Sequence, residues 1–336
     1  MSDAYDRWST HWDAGHQWAL ILAAGEGSRL QALTTTASGI AVPKQFCAFG
    51  GGVSLLHSAI ERARSVLPVE NICTVVADQH REWWQALPLT IPERNIVVQP
   101  RNRGTANGIL LPLLQILHLD AEATLLVLPS DHYVRNEAVL ATSLRRALQE
   151  AGASADRLLL LGFDPDEADP ELGYIVPVDG KGPAPREVMK FVEKPDVFSA
   201  RALIGKGGLW NAFIFAVKGR ALLRAFERRC PEIVIQMRRV FDRRAATQSR
   251  WEDLVALYEK LPAMDFSRDV IECGALPLDV LSVPACGWSD LGTPARLAQA
   301  IGRSAPNSDR RPFAAPHTRG LLDLQSLLSQ SPLSAG

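Results

Sequence analysis

Short apolar runs alternate with longer amphipathic segments through the first half of the chain. Apolar residues that recur every three or four positions predict helices, whereas short continuous apolar runs predict buried strands. The predicted strands cover residues 19–24, 72–77, 96–98, 124–128 and 158–163. The predicted helices cover residues 55–63 after a Ser54 cap, 105–119 with a kink or early break at Pro112, and 137–151. Strands that alternate with helices in this way predict an α/β protein with a mostly parallel sheet.

The pattern changes near residue 173, where strand-like segments follow one another with less helix between them. Strands are predicted at residues 173–178, 188–193, 210–217 and 278–283, and helices at 219–228 and 251–261. We therefore predict a mixed, mostly parallel sheet flanked by helices, with a β-rich second part. The predicted boundaries are an arm at 1–17, one domain at 18–302 with parts at about 18–165 and 166–302, and a Pro/Ser-rich tail at 303–336.

Composition and charge narrow the class of protein. Apolar residues make up 47% of the chain and charged residues 22%, which is ample for a buried core. The net charge of −1 disfavours a nucleic-acid partner, which usually requires a basic excess. We find no apolar run near the ~20 residues of a membrane helix and no signal peptide. Five cysteines without a C-x-x-C pair are typical of a reducing compartment. We therefore expect a soluble cytoplasmic protein without a membrane partner.

The N-terminal arm carries two tryptophans and two histidines, at Trp8, His11, Trp12 and His16. Large aromatic side chains are usually buried, so we expect the tryptophans to pack on the domain or on a second subunit. A homodimer is one arrangement that such an arm allows. A metal role for the two histidines is the weaker alternative, because no further ligand clusters with them.

A glycine-containing loop follows the first predicted strand. Residues 22–30 read LAAGEGSRL, and residues 43–46 read PKQF. Glycines let backbone N–H groups approach a phosphate closely, and Arg29 and Lys44 add positive charge, so the loop suits a nucleotide polyphosphate. A dinucleotide fingerprint is excluded because Leu30 stands where its third glycine would be, and no Walker A string occurs. Taken alone, the loop is equally compatible with a turn that binds nothing.

Two aspartates directly follow apolar strand segments. Asp131 lies in Pro129–His132 (PSDH), and Asp290 lies in Gly287–Gly292 (GWSDLG). Ligands of open parallel sheets bind beyond the carboxyl ends of the strands. Mg²⁺ is commonly held there by one or two carboxylates together with substrate phosphates. The two aspartates thus predict a magnesium site, although a helix N-cap is the ordinary alternative for each.

The second part of the chain offers polar groups suited to a sugar phosphate. Pro195 predicts that Lys194 is extended, which suits projection into a cleft beside Glu193, although a solvated charge pair before a turn is the ordinary alternative. Asn211 opens an apolar strand and would need polar partners, which a sugar hydroxyl could supply. Gly173–Tyr174 predicts either the close approach of a sugar ring or an ordinary β-bulge.

Eight motifs in a fixed order carry a resemblance to a known family. They lie at residues 22–30, 43–46, 103–106, 129–132, 173–175, 191–195, 209–211 and 287–292. The order resembles that of the sugar-phosphate nucleotidyltransferases, most closely the mannose-1-phosphate guanylyltransferases, over about residues 18–300. The resemblance implies a Rossmann-like nucleotidyltransferase fold with a β-rich sugar-binding subregion. It also implies that an NTP, with GTP favoured, reacts with a sugar 1-phosphate to give an NDP-sugar and pyrophosphate.

The same resemblance implies a role for each matching residue. Arg29 and Lys44 would be catalytic, and Mg²⁺ would be held by Asp131 and Asp290. The nucleotide would be bound by Ala23, Ala24, Gly25, Gly27, Ser28, Arg29 and Thr105. The sugar phosphate, with mannose 1-phosphate favoured, would be bound by Gly173, Tyr174, Glu193, Lys194 and Asn211.

The chain departs from the family pattern near the expected nucleotide pocket. The segment between Arg29 and Lys44 is longer, and Asn107–Gly108 replaces the family's Pro-Ala. The choice of base therefore stays open, with a glucose-1-phosphate thymidylyl- or uridylyltransferase as the alternative. A non-catalytic sugar-nucleotide sensor of the same fold is a further alternative, although Lys44 and both aspartates are present.

Overall fold

The computed structural model describes residues 14–27, 30–36, 39–49, 52–178, 182, 184–242 and 247–302. Most of the predicted arm and the whole predicted tail lie outside these residues, as do Ser28 and Arg29 of the glycine loop. Their predicted packing and roles therefore stay predictions.

The strands lie close to the positions that the apolar runs predict. They are β1 (Gln17–Ala23), β2 (Ile72–Ala77), β3 (Ile96–Gln99), β4 (Thr124–Pro129), β5 (Tyr133–Val134), β6 (Leu158–Phe163), β7 (Gly173–Pro177), β8 (Arg186–Val192), β9 (Leu209–Lys218), β10 (Leu278–Ser282) and β11 (Trp288–Ser289). Several are buried along their whole length, for example β2, β4 and β6. Strands covered on both faces read as unbroken apolar runs, which explains why the sequence reveals them.

Nine strands form one sheet in the order β3-β2-β1-β4-β9-β6-β10-β8-β7, and β7 also pairs with β9. Strands β9 and β8 run antiparallel to their neighbours, whereas the other seven point the same way. This confirms the predicted mixed, mostly parallel sheet. The segments that follow β1, β4 and β10 contain the glycine loop, Asp131 and Asp290, respectively.

The helices are α1 (Gln31–Thr34), α2 (Leu55–Arg64), α3 (Arg81–Gln85), α4 (Gly104–Leu119), α5 (Glu137–Ala153), α6 (Val197–Gly205), α7 (Gly219–Arg229), α8 (Pro231–Asp242), α9 (Thr247–Lys260) and α10 (Pro294–Gly302). Ser54 caps α2 as predicted, since its hydroxyl accepts a hydrogen bond from the His57 N–H (3.3 Å). Helix α4 continues through Pro112, so the proline does not end it. A π-helical turn at Ser267–Glu272 follows Phe266.

The core has two layers, one on each face of the sheet. On one face, α2 and α5 pack Leu56 and Leu144 against Ile21 and other strand residues. On the other face, α4 and α7 pack Ile109 and Phe226 against residues such as Leu20. Neighbouring residues of β1 thus serve opposite layers, as the two-residue period of a strand requires.

Among the residues that the structure describes, no helix is both long enough and apolar enough to span a bilayer. All five cysteines are free thiols, in agreement with the absence of a disulfide pattern in the sequence.

Candidate functional site

The loop after β1 is packed against the turn that contains Lys44. Gly27 has a φ of +65°, and a Cβ at this position would lie 2.7 Å from the Lys44 backbone N. Only glycine fits there without displacing that turn. The Gln45 amide, which is buried, donates to the carbonyls of Ala23 (3.2 Å) and Gly25 (2.8 Å). Gln45 thus holds the loop in place, a role that the sequence motif alone does not reveal.

Lys44 is buried and lies between the two aspartate motifs. Its ammonium Nζ donates to the backbone carbonyl of Asp290 (2.6 Å) and lies 3.0 Å from Asp131 Oδ2. A buried ammonium requires such partners, because removal of its hydration shell is costly. The carboxylate of Asp131 is about one third exposed, so the pair faces an opening.

A two-stranded ladder brings the two aspartate motifs together. Strands β5 and β11 pair antiparallel, with Trp288 opposite Val134. The Trp288 indole Nε1 donates to His132 Nδ1 (3.2 Å). Burial lowers the pKa of His132 to about 4, so the ring is neutral near pH 7 and can accept this hydrogen bond. The ladder therefore places Asp131, which precedes β5, near Asp290, which follows β11.

Asp290 is almost fully buried, and two groups bind its carboxylate. Oδ1 accepts from the Gly292 N–H (3.0 Å) and from Arg296 Nη1 (2.9 Å). Burial by itself raises the pKa of Asp290, but His132, which is protonated in the acidic range where Asp290 titrates, and these two donors outweigh it and lower the pKa below its usual value. Arg296 was not predicted as a site residue, and a basic residue six positions after Asp290 is a weak sequence signal.

A cavity of about 300 Å³ unites most of these groups. Its walls are formed by Glu26, Gly27, Leu30, Lys44, Asn102, Asp131, Leu291 and Gly292. Leu291 has a φ of +49°, a sparsely populated backbone conformation that the surrounding structure must impose. The structure thus brings the glycine loop, the lysine and the aspartate segments to one cavity, as the positions at strand ends predict.

The oxygen atoms near Lys44 match the preference of a hard cation. The Asp131 carboxylate and the Asp290 carbonyl contact one ammonium, so a positive charge already occupies the space between the two motifs. Over the described ranges, no three side chains of His, Cys, Asp or Glu cluster so as to hold a metal. Mg²⁺ is commonly held by only one or two carboxylates, with phosphates and water as its other ligands. The donor set therefore fits Mg²⁺ if a nucleotide supplies further oxygens.

Thr105 lies at the start of α4 and is tied to the segment before the π-helical turn. Its hydroxyl accepts from the Phe266 N–H (2.8 Å) and donates to Asp265 Oδ2 (3.4 Å). Asn107, where the chain departs from the family pattern, is buried and donates to the carbonyls of Arg103 (2.7 Å) and Pro262 (3.0 Å). This departure therefore supports the backbone locally, rather than projecting a new group toward a ligand.

Three of the predicted sugar-binding residues lie together at β7, β8 and β9. Gly173 is opposite Asn211 in the sheet, and a Cβ on Gly173 would lie 2.7 Å from Glu193 Oε2. Burial, with a contribution from Asp265, raises the pKa of Glu193 to about 7. Asn211 Oδ1 accepts from the N–H of Phe213 (3.1 Å), whose φ is +55°.

For two of the predicted sugar-binding residues, Lys194 and Tyr174, the structure differs from the prediction. The predicted extended conformation of Lys194 is wrong, because its φ is +48°. The chain turns sharply there from β8 toward α6, and the surrounding structure overrides the local preference that Pro195 imposes. The Tyr174 side chain is fully buried, and its hydroxyl bonds to Asp169 N, Asp169 O and Trp210 Nε1. Tyr174 therefore belongs to the core rather than to the wall of a cleft.

A mostly parallel sheet, with a glycine loop and Asp131 just beyond the carboxyl ends of β1 and β4 and with Lys44 and Asp290 beside them, defines a Rossmann-like α/β protein. Comparison with known families agrees with this class. The chain belongs to the nucleotidyl transferase family, whose model matches residues 18–305.

The curated relatives are similar over most of this chain. Mannose-1-phosphate guanylyltransferase ManC of Salmonella typhimurium (strain LT2) is 29% identical over 287 residues, which cover 82% of this chain and 57% of the relative. A mannose-1-phosphate guanylyltransferase of Escherichia coli is 31% identical over 221 residues, which cover 64% of this chain and 45% of the relative. The chain thus spans less than two thirds of the length of these relatives.

Solved structures share the fold. A protein of Thermus thermophilus, described as a mannose-1-phosphate geranyltransferase, has a TM-score of 0.72 and 27% identity, and the match covers 85% of this chain and 79% of that protein. A UDP-glucose pyrophosphorylase in complex with UDP-glucose has a TM-score of 0.55 at 14% identity, covering 85% of this chain and 97% of the other. The second similarity concerns the fold alone.

Proposed function

We propose that this protein transfers a nucleotidyl group from an NTP to a sugar 1-phosphate and releases pyrophosphate, with GTP and mannose 1-phosphate as the favoured substrates. The observation that carries the proposal is the position of Lys44, whose ammonium contacts Asp131 and Asp290 beside the glycine loop. The named activities of the guanylyltransferase relatives support the choice of substrates.

The glycine loop and Lys44 bind the triphosphate in this proposal. Backbone N–H groups from Ala23 to Gly27 cradle the phosphates, with Ser28 and Arg29 of the same loop as further ligands. Lys44 neutralises the charge that develops on the α-phosphate. Thr105, near the N-terminus of α4, lies beside the nucleoside.

The reaction requires positioning and charge neutralisation more than proton transfer. An oxygen of the sugar phosphate attacks the α-phosphorus in line with the departing pyrophosphate, as in other phosphoryl transfers. Because this oxygen is already anionic, no general base is needed. Asp131 and Asp290 would hold Mg²⁺, which supplies further charge neutralisation when it is bound.

The sugar phosphate is bound at β7, β8 and β9. Gly173 permits close approach of the sugar ring, and Asn211 and Glu193 contact its hydroxyl groups. Glu193, with its raised pKa, retains a proton part of the time near pH 7 and can donate a hydrogen bond. Lys194 is exposed near this cluster and binds the phosphate. Tyr174 is left out of the proposed site because of its burial.

A substrate panel tests the proposal directly. The purified protein is incubated with Mg²⁺, one of several NTPs and one of several hexose 1-phosphates, and pyrophosphate release is measured. We expect the fastest release with GTP and mannose 1-phosphate. Release only with dTTP or UTP and glucose 1-phosphate would shift the assignment to the alternative base and sugar. Nucleotide-sugar binding without release from any pair would indicate a sensor instead of an enzyme.

The variant Lys44→Met tests the residue that carries the proposal. It keeps an unbranched side chain but removes the charge, and we expect kcat to fall by about 10²–10³-fold, as for loss of one transition-state donor. Lys190→Met, on the exposed part of β8, is the matched control and should retain normal turnover. Circular dichroism checks that both variants are folded. A folded Lys44→Met protein with near-normal kcat would remove Lys44 from the catalytic machinery.

A further inference from the structure

We propose that Arg296, on the last described helix α10, is a positioning residue that holds the Asp290 carboxylate in the orientation required for cation binding. This inference rests on the proposed function, in which Asp290 is a ligand of the divalent cation. It assigns a role to a residue outside the eight sequence motifs.

The guanidinium of Arg296 is largely buried and contacts three carboxylates. Nη1 lies 2.9 Å from Asp290 Oδ1 and 2.7 Å from Asp169 Oδ2, and Nη2 lies 2.8 Å from Glu167 Oε1. Its Cζ lies 5.2 Å from the centre of the Trp210 ring. Asp290 and Asp169 are themselves buried, whereas Glu167 is mostly exposed. The two buried carboxylates therefore account for most of the interaction, because exposed ion pairs contribute little.

The bond from Arg296 restricts how the Asp290 carboxylate can rotate. Oδ1 accepts both the Gly292 N–H and Arg296 Nη1, so two donors fix the same oxygen. Groups that bind the ligands of a metal typically change metal affinity by about 10–100-fold when they are removed. Loss of Arg296 would remove the charged donor from Asp290 Oδ1, leave the Gly292 N–H on that oxygen and loosen the orientation of the carboxylate.

Through Asp169, Arg296 is linked to the strands that carry the proposed sugar-binding residues. Asp169 O and N bond to the Tyr174 hydroxyl, which also accepts from Trp210 Nε1. Trp210 precedes Asn211 on β9, and Tyr174 follows Gly173 on β7. One hydrogen-bonded network thus connects the cation-binding aspartate with the backbone of the sugar-binding residues, which gives the buried Tyr174 a structural role.

Lysine is not an equivalent of arginine at this position. Nη1 contacts both buried carboxylates while Nη2 reaches Glu167, and the planar guanidinium fixes these directions relative to one another, whereas an ammonium is a single point of charge. Arg296→Lys should therefore keep the positive charge but hold the Asp290 carboxylate in its orientation only in part. Arg296→Met removes both and retains most of the apolar stem that lies over Trp210.

Binding of Mn²⁺ tests the proposal without relying on turnover. The full chain is titrated with Mn²⁺ in the presence of a nonhydrolysable GTP analogue, and free Mn²⁺ is measured by electron paramagnetic resonance. We expect about 10–100-fold weaker Mn²⁺ binding for Arg296→Met and an intermediate loss for Arg296→Lys. In parallel kinetic assays we expect a lower kcat, with little change in the KM for GTP.

Two matched variants separate positioning from a general effect. Arg135 is an exposed arginine in the wall of the same cavity of about 690 Å³ that Arg296 lines, and Arg135→Met should bind Mn²⁺ normally. Glu167→Gln removes only the exposed partner of Arg296 and should also behave as the unchanged protein. If Arg296→Met fails to fold, Arg296→Lys provides the comparison.

The possible outcomes distinguish this inference from the proposed function. Normal Mn²⁺ affinity in a folded Arg296→Met or Arg296→Lys protein overturns the role of Arg296 alone. Equal losses in Arg135→Met overturn it as well, because the effect would then belong to the cavity in general. Failure of the unchanged protein to bind Mn²⁺ with any nucleotide overturns the cation site of the proposed function, and the role of Arg296 with it.

Discussion

At the scale of single residues, burial decides which groups carry charge at the site. Lys44 is buried but contacts oxygen atoms of both aspartate motifs. His132 is buried as well, and burial lowers its pKa so that the ring is neutral near pH 7. Burial and the nearby Asp265 raise the pKa of Glu193 to about 7, so its carboxyl is partly protonated near pH 7. These protonation states follow from the neighbours that folding supplies, so the residue types alone do not reveal them.

The raised pKa of Glu193 predicts a dependence of stability on pH. The folded protein releases this proton near pH 7 and the unfolded chain near 4.5, so the folded state binds more protons between these values. The contribution of Glu193 to the free energy of unfolding is therefore full below about pH 4.5 and is lost as the pH rises through 7. As the pH rises from 5 to 8, the free energy of unfolding of Glu193→Gln should therefore increase relative to that of the unchanged protein by on the order of 1–3 kcal/mol.

Urea unfolding at several pH values measures this difference. Glu187→Gln is the control, because Glu187 is exposed on the same strand β8 and should show no comparable gain. Parallel pH profiles for Glu193→Gln and the unchanged protein would show that Glu193 has an ordinary pKa in the fold.

At the scale of elements, the long strands and helices could be predicted, whereas the short ladder at the site could not. The strands at residues 72–77 and 158–163 are bounded as the apolar runs predict. Strands β5 and β11 have two residues each, too few for a periodic pattern to identify them. Yet this ladder brings the two aspartate motifs together.

The variant Trp288→Phe tests the importance of the ladder. It keeps an aromatic ring near Phe163 and Trp210 but removes the indole N–H that bonds to the buried His132. An unpaired buried acceptor costs about 1–3 kcal/mol, so we expect this decrease in the free energy of unfolding and a lower kcat. Urea unfolding measures the first effect, with Trp83→Phe on α3 as the control. An unchanged unfolding midpoint would mean that the hydrogen bond contributes nothing to the ladder.

At the scale of the whole molecule, the two predicted parts of the domain share one sheet. Strand β9, from the second part, lies between β4 and β6 of the first part, and β10 lies on the other side of β6. Strand β6 therefore has both of its partners in the second part. Neither part can complete its sheet without the other.

This interleaving predicts the behaviour of a fragment. Residues 18–165 expressed alone should lack native structure, because β6 has no partner and β4 loses β9. The full chain should unfold in urea in one transition that coincides by circular dichroism and by tryptophan fluorescence. A folded, soluble 18–165 fragment, or two separated transitions of the full chain, would show that the parts are independent units.

The sequence by itself determined the elements and the chemical groups of this protein. Apolar runs and helical periods are local properties, so they reveal strands, helices and the α/β class. The glycine loop, Asp131 and Asp290 follow strands, at the edge where nucleotide sites of parallel sheets lie, and Lys44 stands in a separate sequence motif. The order of the motifs is likewise a property of the chain, and it identifies the family before the fold is known.

Only the tertiary structure decided which of these groups meet and in what state. Asp131 and Asp290 are 159 positions apart, and they approach one another because β5 pairs with β11 around Lys44. The bond from Arg296 to Asp290, the burial of Tyr174 and the left-handed backbone of Lys194 depend on the same long-range packing. Such contacts join residues that no local pattern relates, and the burial that they create sets the protonation of His132 and Glu193.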